Sequence, residues 1–412
     1  MWWEKPGHLR AVGNRLFIGE HDVVELAEKH GTPVYIYNLS RIRDNYLRMA
    51  DALKKAGFRE WRIHYAMKAN NNKEVLGLIR ELGGGIDATS PGEVKLAREI
   101  GFKDEDIIFT GTSLSNGDLE FLAKTNVLIN FDSVSSLRRF NGEEGRKVGL
   151  RINTGVGIGR VEKTTTGGLE VGSIPVKFGI SGKAIDRAFD LIEEKGLELH
   201  CLHHHVGSDW VGEKIARYFQ ALDNLLKVAE KAEARFGGSL KVIDLGGGYG
   251  VPHSAEEEEF PVYEFFQRVK EHMEEYGFGD LKVIVEPGTY LVSDAGILVA
   301  QVNTVEEKNG RIFVGVDAGL NVFNSPALYN YYHEIVVCNR VSSEEKMVAT
   351  VVGNICESGD IFAVDRELPK IEEGDYIAIL NAGAYGYVMA NNYNLRPKGK
   401  EVVVGGPVRF PD

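Results

Sequence analysis

Ile63-His64-Tyr65-Ala66-Met67-Lys68-Ala69-Asn70 is the stretch on which the reading of this chain turns. Ile63–Ala66 has the length and apolar character of a short strand, and an amine follows just past its end among small and amide residues. A lysine there can point from the strand end into a pocket, where desolvation lowers its pKa and makes it a Schiff-base former. The hexapeptide from Tyr65 to Asn70 is equally compatible with a surface lysine on a strand-to-helix turn. The rest of the chain separates the two readings.

Short runs rich in Ile, Val and Leu recur at Ile63–Ala66, Gly85–Ala88, Ile107–Thr110, Val127–Phe131, Val148–Ile152, Glu198–His204, Lys241–Leu245 and Lys282–Glu286. Between them lie stretches of helical spacing: Lys73–Leu82, Gly92–Ile100, Gly117–Lys124, Ala184–Glu194, Lys214–Phe236 and Pro261–Tyr276. This alternation predicts an α/β fold, a parallel (β/α)8 barrel of the TIM type, with a doubly wound open sheet as the alternative. After Pro287 the pattern changes to strand-like runs separated by turn residues: Ile312–Val316, Glu334–Val337, Met347–Val352, Tyr376–Leu380 and Glu401–Val404. Three parts are expected. Residues 36–290 form the barrel, residues 291–412 a β-sandwich or barrel-like domain, and residues 1–35, with a short strand at Arg15–Ile18, pack with that second domain.

With 412 residues, 43% apolar and 26% charged, the chain has the composition of a globular protein large enough for two or three domains. A net charge of −12 argues against nucleic acid or an anionic membrane as partner. No apolar run is long enough to span a membrane, and the N-terminus does not read as a signal peptide. Cys201, Cys338 and Cys356 are scattered and odd in number, which predicts free thiols and a reducing cytoplasm.

A (β/α)8 barrel carries its chemistry where its strands end. Those positions read Lys68, Asp87 with Ser90, Thr112, Asp132, Asn153, His205 with Ser208, Gly246-Gly247-Gly248, and Glu286. The triple glycine suits a tight turn, and equally a row of unobstructed backbone N–H groups for a phosphate. His203-His204-His205 suggests a metal cluster, but consecutive strand residues face alternate sides and cannot share one ion. Gly155-Val156-Gly157-Ile158-Gly159 lacks the spacing and the following helix of a dinucleotide loop. Glu256–Glu259 reads as a solvated loop. The Gly- and Thr-rich segment Gly155–Val176 is too long for a connector, which points to a functional loop. An amine, a phosphate cradle, a flat imidazole and a carboxylate suit one cofactor, pyridoxal 5′-phosphate: aldehyde at Lys68, phosphate at the glycines, ring on His205, ring nitrogen at Glu286.

Six motifs carry a resemblance over nearly the whole chain. They are Tyr65-Ala66-Met67-Lys68-Ala69-Asn70, His205-Val206-Gly207-Ser208, Gly246-Gly247-Gly248, Glu286-Pro287-Gly288, Cys356-Glu357-Ser358-Gly359-Asp360 and Ala382-Gly383-Ala384-Tyr385-Gly386. In this order they resemble the fold-type III pyridoxal-phosphate-dependent decarboxylases, in the diaminopimelate decarboxylase branch. The resemblance implies decarboxylation of meso-diaminopimelate to L-lysine in lysine biosynthesis. It also implies a head-to-tail homodimer with shared sites, in which the neighbouring subunit contributes Cys356 and Glu357. Lys68, Asp87, His205, Ser208, Gly246, Gly247, Gly248, Glu286, Gly288 and Tyr385 would bind the cofactor. Thr289, Ser325, Tyr329, Glu357 and Tyr385 would face the substrate, and Cys356 would protonate the α-carbon, although a buried apolar thiol is the alternative for Cys356.

Two positions depart from the family pattern, which has Arg where this chain has Thr289 and Ser325. Neither hydroxyl replaces a bidentate guanidinium. Asn330 also stands where ornithine-type relatives have Asp. A decarboxylase for a modified, carrier-linked or polyamine-type amino acid is therefore the alternative, with the Gly155–Val176 loop recognising it. A racemase-like enzyme would be expected to carry a cation rather than Glu286 at the ring nitrogen, and a silent regulator would be expected to lose Lys68 or Cys356.

Overall fold

The computed structural model describes residues 1–172 and 174–406. Residue 173, inside the Gly155–Val176 loop, and residues 407–412 of the C-terminal part lie outside them.

Eight strands, Trp61–Ala66, Gly85–Ala88, Ile107–Phe109, Leu128–Phe131, Lys147–Arg151, Glu198–His203, Val242–Asp244 and Lys282–Val285, close into a barrel. Each pairs in parallel with the next, and Lys282–Val285 closes the ring onto Trp61–Ala66. Closure excludes the open-sheet alternative. Ile108, Cys201, Val242 and Ile284 pack inside the ring, so Cys201 is a core side chain, and burial pushes its thiol well up.

The helices between strands have recognisable ends. Ser90 caps Pro91–Ile100 by accepting the Glu93 N–H, with Pro91 at the first turn and Gly101 in the left-handed conformation beyond the last. Ser90 thus serves as a helix cap. Leu39–Lys55, absent from the predicted helices, precedes the first barrel strand. Its buried Leu39, Ile42, Tyr46, Met49 and Leu53 follow three- and four-residue steps, and each contributes about 1.5–3 kcal/mol on burial.

The C-terminal strands form an eight-stranded mixed sheet around Gly296–Lys308. The first half of this strand pairs with Val34–Asn38 and Tyr376–Ile379, and its second half with Arg311–Val316. Lys346–Val352, Ile361–Pro369, Ile335–Val337 and Lys400–Val404 complete the sheet. Gly296–Lys308, Ile361–Pro369 and Val34–Asn38 are strands that the sequence reading does not single out. The N-terminal segment forms a small sheet of Leu9–Val12, Arg15–Ile18 and His21–Asp22. Its Leu16 N–H donates to the Cys338 carbonyl at 2.8 Å, which ties it to the C-terminal sheet. Among the described residues, no helix is long and apolar enough to cross a membrane.

Candidate active site

The C-terminal mouth of the barrel holds a cavity of about 350 Å³, within the range of small-molecule sites. Lys68, Asp87, His205, Ser208 and Glu286 line it, joined by Thr112, Thr166, Arg151 and His203. A second, outer cavity of about 210 Å³ shares Thr166 and Ser208 with it and adds Thr289, Ser325, Tyr329 and Tyr385.

Lys68 reaches the cavity because Trp61–Ala66 ends in a tight turn, closed by the Ala69 N–H on the Ala66 carbonyl at 3.0 Å. Its Nζ pairs with Asp87, at the end of the next strand. The expected lowering of the lysine pKa is not found. Burial alone would lower it, but the charges of Asp87 and Glu286 raise it instead, so Lys68 rests as an ammonium. Burial and the nearby Glu286 push Asp87 up to about 7, against the pull of Lys68.

Glu286 is fully buried and accepts a hydrogen bond from His203, Nε2 to Oε2 3.1 Å. Burial would neutralise it, yet His203, Lys68 and His205 hold its carboxyl well below the usual range. Asp244 lies close enough that its carboxylate, the Glu286 carboxylate and a His203 nitrogen fall within 4.8 Å of one another. Two such buried carboxyls do not ionise together. Burial and Glu286 push Asp244 well up. His205 is held neutral by burial, aided by Arg151 and Lys68, and its Nδ1 accepts the Gly207 N–H at 3.2 Å.

The glycines serve the fold before any ligand. Gly246 sits at φ +63°, and a Cβ on Gly247 would fall 2.0 Å from the Glu286 carbonyl oxygen. The Gly246 N–H is taken by Asp244 Oδ1 at 3.0 Å. Among the described residues, the N–H groups of Gly247 and Gly248 donate to no protein acceptor. Asp87 Oδ1 and Glu286 Oε1 are buried without a hydrogen-bond partner. Unused amides for an anion, a nearby amine and an unsatisfied carboxylate are the donor set that pyridoxal phosphate needs, so the residues present fit that group.

The Gly155–Val176 loop is fastened over this mouth. Ile158 and Gly167 donate to the Val206 carbonyl, Ser208 to Thr164 and Arg160 to Ser208, all through backbone N–H groups. Asn153 is used up in clamping the loop: its Nδ2 donates to the Gly168 and Phe178 carbonyls, and its Oδ1 accepts from Gly155 and Gly168. Tyr385, at φ +54°, is held by its own N–H on the Ala69 carbonyl at 2.7 Å. Ser325 Oγ lies 2.9 Å from His333 Nε2, and His333 Nδ1 lies 2.9 Å from the Leu380 carbonyl. Since only Nδ1–H can donate to that carbonyl, Ser325 donates to Nε2. Thr289 borders the outer cavity, and Gly288 packs against Ala69.

Cys356 and Glu357 do not join the cavity of their own chain. Cys356 is exposed, with Sγ accepting from Asn394 Nδ2 at 3.0 Å, and Glu357 accepts from the Tyr393 hydroxyl at 3.0 Å. Two residues central to the cavity escape sequence reasoning. Arg151 ends the strand Lys147–Arg151 as its one buried cation, after Val148, Gly149 and Leu150. His203 stands inside the three-histidine run, where nothing singles out the one that faces Glu286.

Residues 39–293 match the family described as pyridoxal-dependent decarboxylase, pyridoxal binding domain. The chain is 40% identical over 395 residues to diaminopimelate decarboxylase of Methanothermobacter thermautotrophicus, covering 94% of this chain and 90% of that one. The crystal structure of diaminopimelate decarboxylase from M. jannaschii in co-complex with L-lysine superposes with a TM-score of 0.86 at 31% identity, covering 97% and 93% of the two chains. Lysine decarboxylase from Selenomonas ruminantium superposes with a TM-score of 0.78 at 25% identity, covering 94% and 97%.

Proposed function

Because the chain belongs to the pyridoxal-dependent decarboxylases, we propose that its substrate is meso-diaminopimelate, from which it releases carbon dioxide and L-lysine. The observation that carries the reading is the convergence of the Lys68 amine, the ionised Glu286 and the neutral His205 on one cavity, with the unused Gly247 amide on backbone packed against Glu286. Pyridoxal phosphate, when bound, supplies an electrophilic carbon for an amine and an electron sink for the pair left by the departing carboxylate.

The chain's residues would divide the work as follows. Lys68 tethers the cofactor and must first lose a proton, for which Asp87, its partner and near 7, is the acceptor at hand. Gly246, Gly247, Gly248, Gly288, Ser208 and Tyr385 would hold the phosphate. Glu286, kept anionic by His203, would hold the ring nitrogen, and the neutral His205 would stack on the ring. Thr289, Ser325 and Tyr329 border the room left for the substrate.

Cys356 and Glu357 would act from a second copy of the chain in a homodimer with shared sites, Cys356 holding at Sγ the proton destined for the α-carbon. Support comes from the exposure of Cys356 beside Leu395, which is 91% exposed at φ +56°. An apolar side chain in that position is suited to being covered by another protein surface. Cytoplasmic residence belongs to the same reading and is supported by three unpaired cysteines.

The test is carbon dioxide release from meso-diaminopimelate with lysine identified as product. Release from lysine, ornithine, arginine, glutamate or a carboxylated polyamine, and none from diaminopimelate, would overturn the substrate assignment. One observation favours that second reading. Ser325 spends its proton on His333, and neither it nor Thr289 brings a positive charge to the outer cavity.

A further inference from the structure

The outer cavity is lined mainly by hydroxyls, and its charges are few. Asp209 is neutralised by Arg160 at 2.6 Å, and His253 Nε2 lies 3.0 Å from the same carboxylate. Arg160 has its charge balanced by two carboxylates, its terminal nitrogens donating to Glu257 at 2.6 Å and to the Val251 carbonyl at 2.8 Å. His333 is kept neutral by burial, which lowers it to about 3. That leaves Lys163. Among the described residues it has no carboxylate partner, and its Nζ makes one contact, a 3.1 Å hydrogen bond to the Leu328 carbonyl. Two of its three N–H groups are left over.

The backbone that carries this side chain is held in place. Lys163 lies in the turn Glu162–Thr164. The Thr164 carbonyl accepts the Ser208 N–H at 2.9 Å, and the Thr164 hydroxyl lies 3.1 Å from that of Tyr331. The ammonium therefore sits at the mouth of the outer cavity, beside the short helix Ser325–Tyr329.

Resting on the diaminopimelate reading, we infer that Lys163 is the cation that pairs with the carboxylate the substrate keeps. Decarboxylation at one end of diaminopimelate leaves the amine and carboxylate of the other end intact in lysine. A carboxylate entering a partly desolvated cavity needs a counter-charge as well as hydroxyl donors. Lys163 supplies that charge, which makes it a specificity-determining residue for a distal α-amino acid group.

The experiment titrates the full-length holoenzyme with L-lysine and with 1,5-diaminopentane, which lacks the carboxylate, by calorimetry. Lys163→Gln keeps a donor for Leu328 but removes the charge. It should weaken lysine about tenfold and change diaminopentane by less than about twofold, and Lys163→Arg should restore lysine binding. Equal lysine affinity in the wild type and Lys163→Gln overturns this inference alone. If the wild type binds diaminopentane but not lysine, the diaminopimelate reading falls and the inference falls with it.

Discussion

His203 Nε2 lies 3.1 Å from Glu286 Oε2, with the two side chains only 1% and 2% exposed. A buried carboxylate persists only where something holds the charge, and here a neutral imidazole donates to it. Replacing the donor should let the Glu286 pKa climb. Losing one hydrogen bond to a charge, about 1.5–3 kcal/mol, corresponds to roughly one to two pH units. His203→Leu is therefore expected to raise the Glu286 pKa by that amount, read as the pH at which the infrared carboxylate band assigned to Glu286 disappears. The sign follows from the depressed pKa: the wild type keeps Glu286 ionised to low pH, and the variant protonates it sooner. A Glu286 band that protonates at the same pH in both proteins would show that His203 does not set the charge on Glu286.

Shared sites make a second prediction. Lys68→Ala and Cys356→Ala should each lack activity alone, since one loses the tether and the other the proton donor. If the sites are shared between copies, dissociating and reassociating an equal mixture puts one intact site in each heterodimer. Random pairing then returns about one quarter of wild-type activity. Mixtures that stay as inactive as their components would argue that Cys356 does not act across an interface.

Asp294 joins the N-terminal segment to the barrel. Its carboxylate accepts from Arg41 at 2.6 Å, Lys5 at 3.2 Å and Asn45 at 2.8 Å. Burial opposes its ionisation, but Arg41 and Lys5 outweigh burial and hold the carboxyl well below its usual range. Such a group stabilises the fold above its unfolded pKa of about 3.9, and the benefit is lost as pH falls through the lower folded value. Asp294→Asn should cost about 3 kcal/mol at neutral pH by leaving the half-buried Arg41 without a carboxylate, with the gap from wild type narrowing below about pH 4. Denaturant titrations at both pH values measure it. A gap that does not depend on pH would contradict the assignment.

The barrel was legible because both of its signals are local. Each strand shows as a short Ile, Val and Leu run and most helices as a three- and four-residue rhythm, so the predicted and observed strands agree to within two residues at either end. The second sheet is less legible. Gly296–Lys308 has no alternation to mark it in its first half, where nearly every residue is buried, and its last residues are mostly exposed. Val34–Asn38 is a strand only because residues more than 250 positions away pair with it.

Residue types and their order were enough to mark Lys68, His205, the glycines and Glu286 as companions, because a parallel barrel carries every strand end to one rim. Protonation was a different matter. The ammonium state of Lys68, the neutral His205 and the anionic Glu286 depend on which charges lie within a few ångströms in a dry interior, and no spacing along the chain encodes that. The same holds for Ser90 and Asn153, two strand-end residues whose hydrogen bonds belong to a helix cap and a loop clamp. Covalent order limits which groups can meet; packing and dielectric decide what charge each carries once they do.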